Sequence, residues 1–199
     1  MSRWPAREAM HERILATADK LFYGQGIRAV GVDTIAAEIG ISKRTLYNYF
    51  PSKDELIIAY LSRRFIPLEM PDRPPVEQIL GVFDRLERSF ASKAFRGCPF
   101  VNAVVELGEP THAANKIAAA FKEQRRTGFS NLLARSGAAD PDGLATQLAI
   151  LVDGAIAVAV VRGDPTVARA AKQAALVLLS AAGVRTGNDV GDAKVHRTD

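Results

Sequence analysis

The sequence predicts an all-α protein, and three observations carry that expectation. Apolar residues recur at intervals of three and four over most of the chain, the spacing of one helix face. Hydrophobic residues make up 48% of the chain but aromatics only 7%, with much of the remainder alanine. That composition suits closely packed helices better than β-sandwiches, which lean on aromatic and β-branched strands. Finally, glycine and proline punctuate the periodic segments, and no convincing strand or internal repeat lies between them. At 199 residues the chain can form one large domain or two small ones with a buried core.

The first helix is expected over Arg7–Gly26. Met10, Ile14, Leu15, Ala18, Leu21 and Phe22 share one face, and Glu8, Glu12, Arg13, Asp19 and Lys20 fill the other. Gly24 and Gly26 end it; a helix precedes them and Gly31 follows at the wrong spacing, so they are no dinucleotide fingerprint. A short helix over Val32–Ile39 stops at Gly40. Ser42 then caps a second short helix, Lys43–Tyr49, which Pro51 closes because the residue before proline avoids the α region. Ser52 followed by Glu55 has the capping-box spacing for a helix reaching Phe65.

Pro67, Pro71, Pro74 and Pro75 mark a connector and the best boundary in the chain. The expected division is therefore 1–66, 67–183, and a polar, disordered tail over 184–199. The middle part reads as helices over Val76–Phe90, Phe100–Leu107, Ala113–Arg135, Leu144–Arg162 and Pro165–Ala182. Asp140 to Gly143 reads as a turn, and Asp164 with Pro165 as a helix start.

Several function classes are set aside by composition. One cysteine, Cys98, excludes an internal disulfide framework and a multi-cysteine zinc site. His11, His112 and His196 lack metal-pair spacing, so neither metal nor cofactor is expected. Walker, GxSxG, HExxH and paired Glu-x-x-His motifs are missing, so the chain is not expected to be an enzyme. No signal peptide is expected, because no charged segment followed by an apolar stretch opens the sequence, and the most apolar window, Leu148–Val161, is too short to span a bilayer. A cytoplasmic protein without membrane association is expected. The net charge of +4 and pI near 9.4 favour nucleic acid only slightly.

The informative stretch is Ile35–Lys53, IAAEIGISKRTLYNYFPSK, two short helices joined at Gly40 in helix-turn-helix fashion. The second is too short to be stable alone. Leu46 and Phe50 anchor it, while Lys43, Arg44, Thr45, Tyr47, Asn48 and Tyr49 offer cations, hydroxyls and an amide suited to a major groove. A helical corner with a polar face is the alternative from pattern alone.

Residues 8–65 resemble the DNA-binding domain of TetR-family transcriptional regulators. The likeness rests on Ile35-Ala36, Gly40, Ser42, Thr45-Leu46-Tyr47, Phe50 and Lys53 at family spacing, and Gly97-Cys98-Pro99 beside Asn102 resembles a subset of these regulators. The resemblance implies a three-helix N-terminal DNA-binding domain followed by a helical ligand-binding and dimerisation bundle. The implied function is a ligand-responsive homodimer, a repressor released from a palindromic double-stranded DNA operator by a small apolar or amphipathic effector.

By that resemblance Lys43 and Arg44 lie where recognition helices reach base edges, and Arg44 is suited to bidentate reading of guanine. Thr45 and Tyr47 match positions that touch backbone or base, with Tyr47 donating to phosphate. Asn48 is assigned to a base, to a phosphate, or to solvent; Tyr49 to a phosphate. Lys53 matches a phosphate-clamping lysine at a helix start. Many relatives enter the second helix with Ser or Thr, but this chain has Val30 and Gly31, so that contact is missing or moved to Thr34.

Elsewhere, Phe83, Phe90, Phe100, Phe121 and Phe129 are expected in the core, some of them lining an effector pocket. Cys98 reads as a buried hydrophobe rather than a redox sensor, His112 as a surface residue, and Trp4 as part of a flexible arm. Asp153, inside an apolar helix, meets an arginine such as Arg162 or Arg169, caps a ligand, or faces solvent. The two C-terminal helices are apolar nearly all round and are expected to dimerise, with Leu151 and Leu178 on the stripes to be tested.

Overall fold

The computed structural model describes residues 4–65 and 73–186, with side chains from Arg7 onward, and contains nine α-helices and no strand among them. These are α1 (Trp4–Gln25), α2 (Val32–Glu38), α3 (Lys43–Tyr47), α4 (Lys53–Arg63), α5 (Pro75–Phe90), α6 (Pro99–Leu107), α7 (Ala113–Arg135), α8 (Pro141–Arg162) and α9 (Val167–Ala181). The all-α expectation holds. Pro67 and Pro71 of the connector, and the tail beyond Thr186, lie outside the described residues.

Start chemistry explains most boundaries. Ser42 Oγ accepts the Thr45 N–H at 3.0 Å, and Ser52 Oγ accepts the Glu55 N–H at 3.0 Å, so α3 and α4 begin where their caps predict. The segment read as a turn at Asp140–Gly143 is instead the start of α8. Asp140 accepts the Gly143 N–H at 2.9 Å and Pro141 takes the first helical position. In contrast, α9 starts at Val167, two residues later than expected, because Asp164 caps the preceding turn by accepting the Thr166 N–H at 2.9 Å. Trp4, read as part of an arm, is the first residue of α1.

The described chain divides into two compact units. One contains α1–α4, α6 and the first turns of α7 to Phe121; the other contains α5, α7 from Lys122, α8 and α9. A cut at the proline connector would place Cys98–Phe121 with the C-terminal helices, whereas its contacts place it with the N-terminal ones. Three links explain this. Phe100 stacks on Phe121 at 3.9 Å and both pack edge-on against Phe65. Glu106 accepts the Arg28 N–H at 3.1 Å, and the Arg28 guanidinium donates to the Leu107 carbonyl at 3.0 Å. Gly26, with φ +98°, lies so close that an added Cβ would sit 2.9 Å from Glu106 Oε2.

In the first unit α1 packs on α2 and α4, and α2 on α3. Ile14, Ala18, Phe22, Ile35, Leu46, Leu56, Ile57 and Leu61 form its buried centre. Asp19 receives two hydrogen bonds from Arg64, at 2.6 and 2.8 Å, a paired geometry that fixes α4 on α1. In the second unit α5 and α8 both pack on α9, and Ile79, Phe83, Leu148, Val152, Ala175 and Leu179 are buried, as are Phe129 and Leu132 of α7. Lys172 to Asp84 and Arg169 to Glu87, both at 2.6 Å, edge the α5–α9 pair. Val184, assigned from sequence to the tail, is buried, with its N–H on the Leu179 carbonyl at 3.0 Å.

At 22 residues α8 exceeds the apolar window recognised in sequence, and by length and composition it could cross a membrane. Its Leu144, Leu148, Val152, Ala155 and Ala159 are buried against neighbouring helices, the pattern of a core helix.

Candidate nucleic-acid interface

Helix α3 is built from the inside outward. Leu46 and Phe50 are buried and hold α3 against the first unit. Gly40, at φ +71°, makes the turn between α2 and α3, and the Arg13 guanidinium donates to the Ile39 carbonyl at 2.9 Å, tying that turn to α1. Five helical residues could not hold this shape alone, so the anchors set the direction of everything else on α3.

Of the predicted site residues, Arg44 and Tyr47 stand exposed on α3 and Asn48 at its C-cap, and their side chains make no hydrogen bond or ion pair among the described residues. Thr34 is exposed on α2 in the same way. Lys43, Thr45 and Lys53 are already engaged. Lys43 Nζ donates to Asp33 Oδ2 at 3.0 Å, and the Thr45 hydroxyl lies 2.8 Å from Ser42 Oγ. Tyr49 is half-buried and lines a cleft of about 410 Å³ with Arg7, Glu8, His11 and Glu12, where the His11 ring stacks on Phe50 at 4.6 Å.

Lys53 differs most from its sequence reading. Its ammonium donates to the Ile27 carbonyl at 2.6 Å and lies 5.9 Å from the centre of the Phe22 ring. Partial burial lowers its pKa below the usual lysine value, with Asp54 and Glu106 opposing. The side chain thus fastens the α1–α2 turn whatever else it touches. Lys53→Met is expected to lower stability by about 1 kcal/mol, read by thermal denaturation, as well as weakening any DNA contact. A residue acting only on phosphate would flatten the salt dependence and leave the melting temperature unchanged.

Gly31 precedes α2 with no side-chain cap, and the first turn carries Asp33 instead. Sequence spacing gave no sign of the Asp33–Lys43, Glu106–Arg28 or His112–Asp54 pairings, since each joins residues from different elements. His112, expected on the surface, has a side chain only 9% exposed; its Nδ1 accepts the Ala114 N–H at 3.0 Å and its Nε2 lies 3.5 Å from Asp54 Oδ1. Asp153 pairs with Lys122 and with Arg125, the latter at 3.0 Å, rather than with Arg162 or Arg169. Cys98 is buried. The five phenylalanines do not gather in one unit: Phe100 and Phe121 lie in the first, Phe83, Phe90 and Phe129 in the second.

Residues 14–60 match the profile of bacterial regulatory proteins of the tetR family, and residues 75–174 that of the LmrA/YxaF-like transcriptional regulator C-terminal domain. The chain belongs to the TetR family. A TetR transcriptional regulator from Streptomyces avermitilis superposes with a TM-score of 0.77 at 35% identity, covering 88% of this chain and 98% of that one. The HTH-type transcriptional regulator YxaF of Bacillus subtilis is 26% identical over 81% of this chain and 90% of its own length. A 57-residue stretch is 40% identical to the HTH-type transcriptional activator FasR of Mycolicibacterium smegmatis; that match covers 29% of this chain and only 26% of FasR. TetR-family proteins are DNA-binding transcriptional regulators, not enzymes.

Proposed function

We propose that the protein is a homodimeric, effector-responsive repressor that reads a two-fold symmetric operator through α3. The observation that carries this reading is the exposed set Arg44, Tyr47 and the C-cap residue Asn48, without side-chain partners among the described residues, on a helix anchored by Leu46 and Phe50. Arg44 reads a guanine edge with two parallel hydrogen bonds, Asn48 takes an adjacent base or phosphate, and Tyr47, Tyr49 and Thr34 donate to the backbone. Lys53 and Thr45 support the head by their internal bonds and face the phosphates from its edge.

Dimerisation is supported by the outer faces of α8 and α9. Ile150, Val161 and Val177 are 67%, 86% and 68% exposed, and Gly154, Ala157, Ala170 and Ala174 continue their stripes. An added Cβ at Gly154 would meet nothing within 4 Å, so another helix pair could approach closely there. Leu151 and Leu178 are half-buried and sit at the margins of these stripes. Repression follows most simply from occupancy: a reading head and a helical bundle on an operator block access to it. A small apolar or amphipathic effector held by the C-terminal helices would release the protein by a coupling of about 1–3 kcal/mol. Such a regulator works in the cytoplasm, where its DNA is.

Binding to random and selected duplexes across a range of salt tests the assignment. Affinity should fall steeply as salt rises, with a preferred sequence held about 10³-fold or more above random DNA. Binding to neither duplex would overturn it.

A further inference from the structure

We infer that Asp33 sets the selectivity of the reading head by withholding Lys43 from the DNA backbone. The inference rests on the DNA-reading role proposed for α3. Lys43 begins α3 and Asp33 sits in the first turn of α2, and their side chains meet at 3.0 Å across the helix-turn-helix. Both are at the surface, 50% and 71% exposed, so the pair adds little to the fold. Its consequence falls on what approaches that surface.

Sequence-independent DNA affinity counts the phosphates neutralised by protein cations. A lysine already neutralised by a carboxylate adds no net charge to that count. To reach a phosphate, Lys43 must leave Asp33, and the bare carboxylate then faces a polyanion. Arg44, the next residue, has no such partner among the described residues. Helix α3 therefore presents Arg44 to read a base edge and holds Lys43 in reserve. Attraction to any duplex is reduced, while directed contacts are not, and the ratio of specific to random binding rises. The same bond raises the Lys43 pKa above the usual lysine value, the Asp33 hydrogen bond being the main cause.

The test compares full-length wild type, Asp33→Asn, Asp33→Glu and the double variant Asp33→Asn/Lys43→Met on a random-sequence duplex and on a selected site, by fluorescence anisotropy over a salt series. Asp33→Asn should bind random duplex about tenfold more tightly at low salt. Its salt slope should steepen by about one counterion per subunit, and the specific-to-random ratio should fall severalfold. Asp33→Glu should keep the wild-type slope, and adding Lys43→Met should erase the gain. An Asp33→Asn slope equal to wild type would overturn the inference, as would a gain that survives in the double variant, because the carboxylate would then act alone. Should Asp33→Asn fail to fold by circular dichroism, Asp33→Ser takes its place. Wild-type protein that bound no duplex would refute the function itself, a result distinct from unchanged variants of a protein that binds.

Discussion

Replacing Ile150 and Val177 by glutamate, one at a time, is expected to convert the protein to monomers that keep their helices. Both side chains lie more than two-thirds exposed on the outer stripes of α8 and α9, so the isolated chain accommodates a carboxylate there without repacking. In a dimer the same carboxylate would be desolvated against its neighbours without a cation, at a cost of about 3–5 kcal/mol. Two helix pairs joined through small residues cannot absorb that. Light scattering reads the mass, circular dichroism the helix content, and operator binding should be lost with the dimer. A dimer recovered from both variants would place the interface elsewhere.

Arg44→Ala is expected to have the other large effect, of a different kind. Its loss should weaken operator binding by about 1–3 kcal/mol per half-site and relax the preference at one base position in each. Random duplex should be affected far less. Selecting bound fragments with wild type and variant compares the two motifs position by position. Identical motifs with a uniform loss of affinity would make Arg44 a phosphate contact.

The contrast between Arg44 and its neighbours shows where sequence reasoning stopped. Local chemistry was legible: Ser42 and Ser52 cap the helices they precede, and Leu46 and Phe50 are the anchors their spacing suggested. Residue type at a helix surface was equally legible, which is why six polar positions on one short segment stood out. What each cation does with its charge was not. Lys43 meets a carboxylate ten residues away and Lys53 a carbonyl 26 residues away, and neither distance has a periodicity to betray it.

The same limit governs the C-terminal helices. Where a helix is apolar nearly all round, spacing shows that two sides need cover but not which side the chain covers itself. On α8 the stripe of Leu144, Leu148, Val152 and Ile156 faces inward, leaving Ile150 and Val161 outside. On α9 the inner positions are Ala168, Ala171, Ala175 and Leu179, so Val177 rather than Leu178 heads the outer stripe. The attachment of Cys98–Phe121 to the N-terminal unit depends on Arg28–Glu106 and on the Phe65, Phe100 and Phe121 rings, contacts between segments that are far apart in the chain.

The most direct measurement is footprinting on a selected site combined with the stoichiometry of the complex. Two protomers protecting a two-fold symmetric sequence, with contacts repeated in successive major grooves on one face of the duplex, is the expected result. One protomer bound at full affinity to a single asymmetric half-site would contradict it.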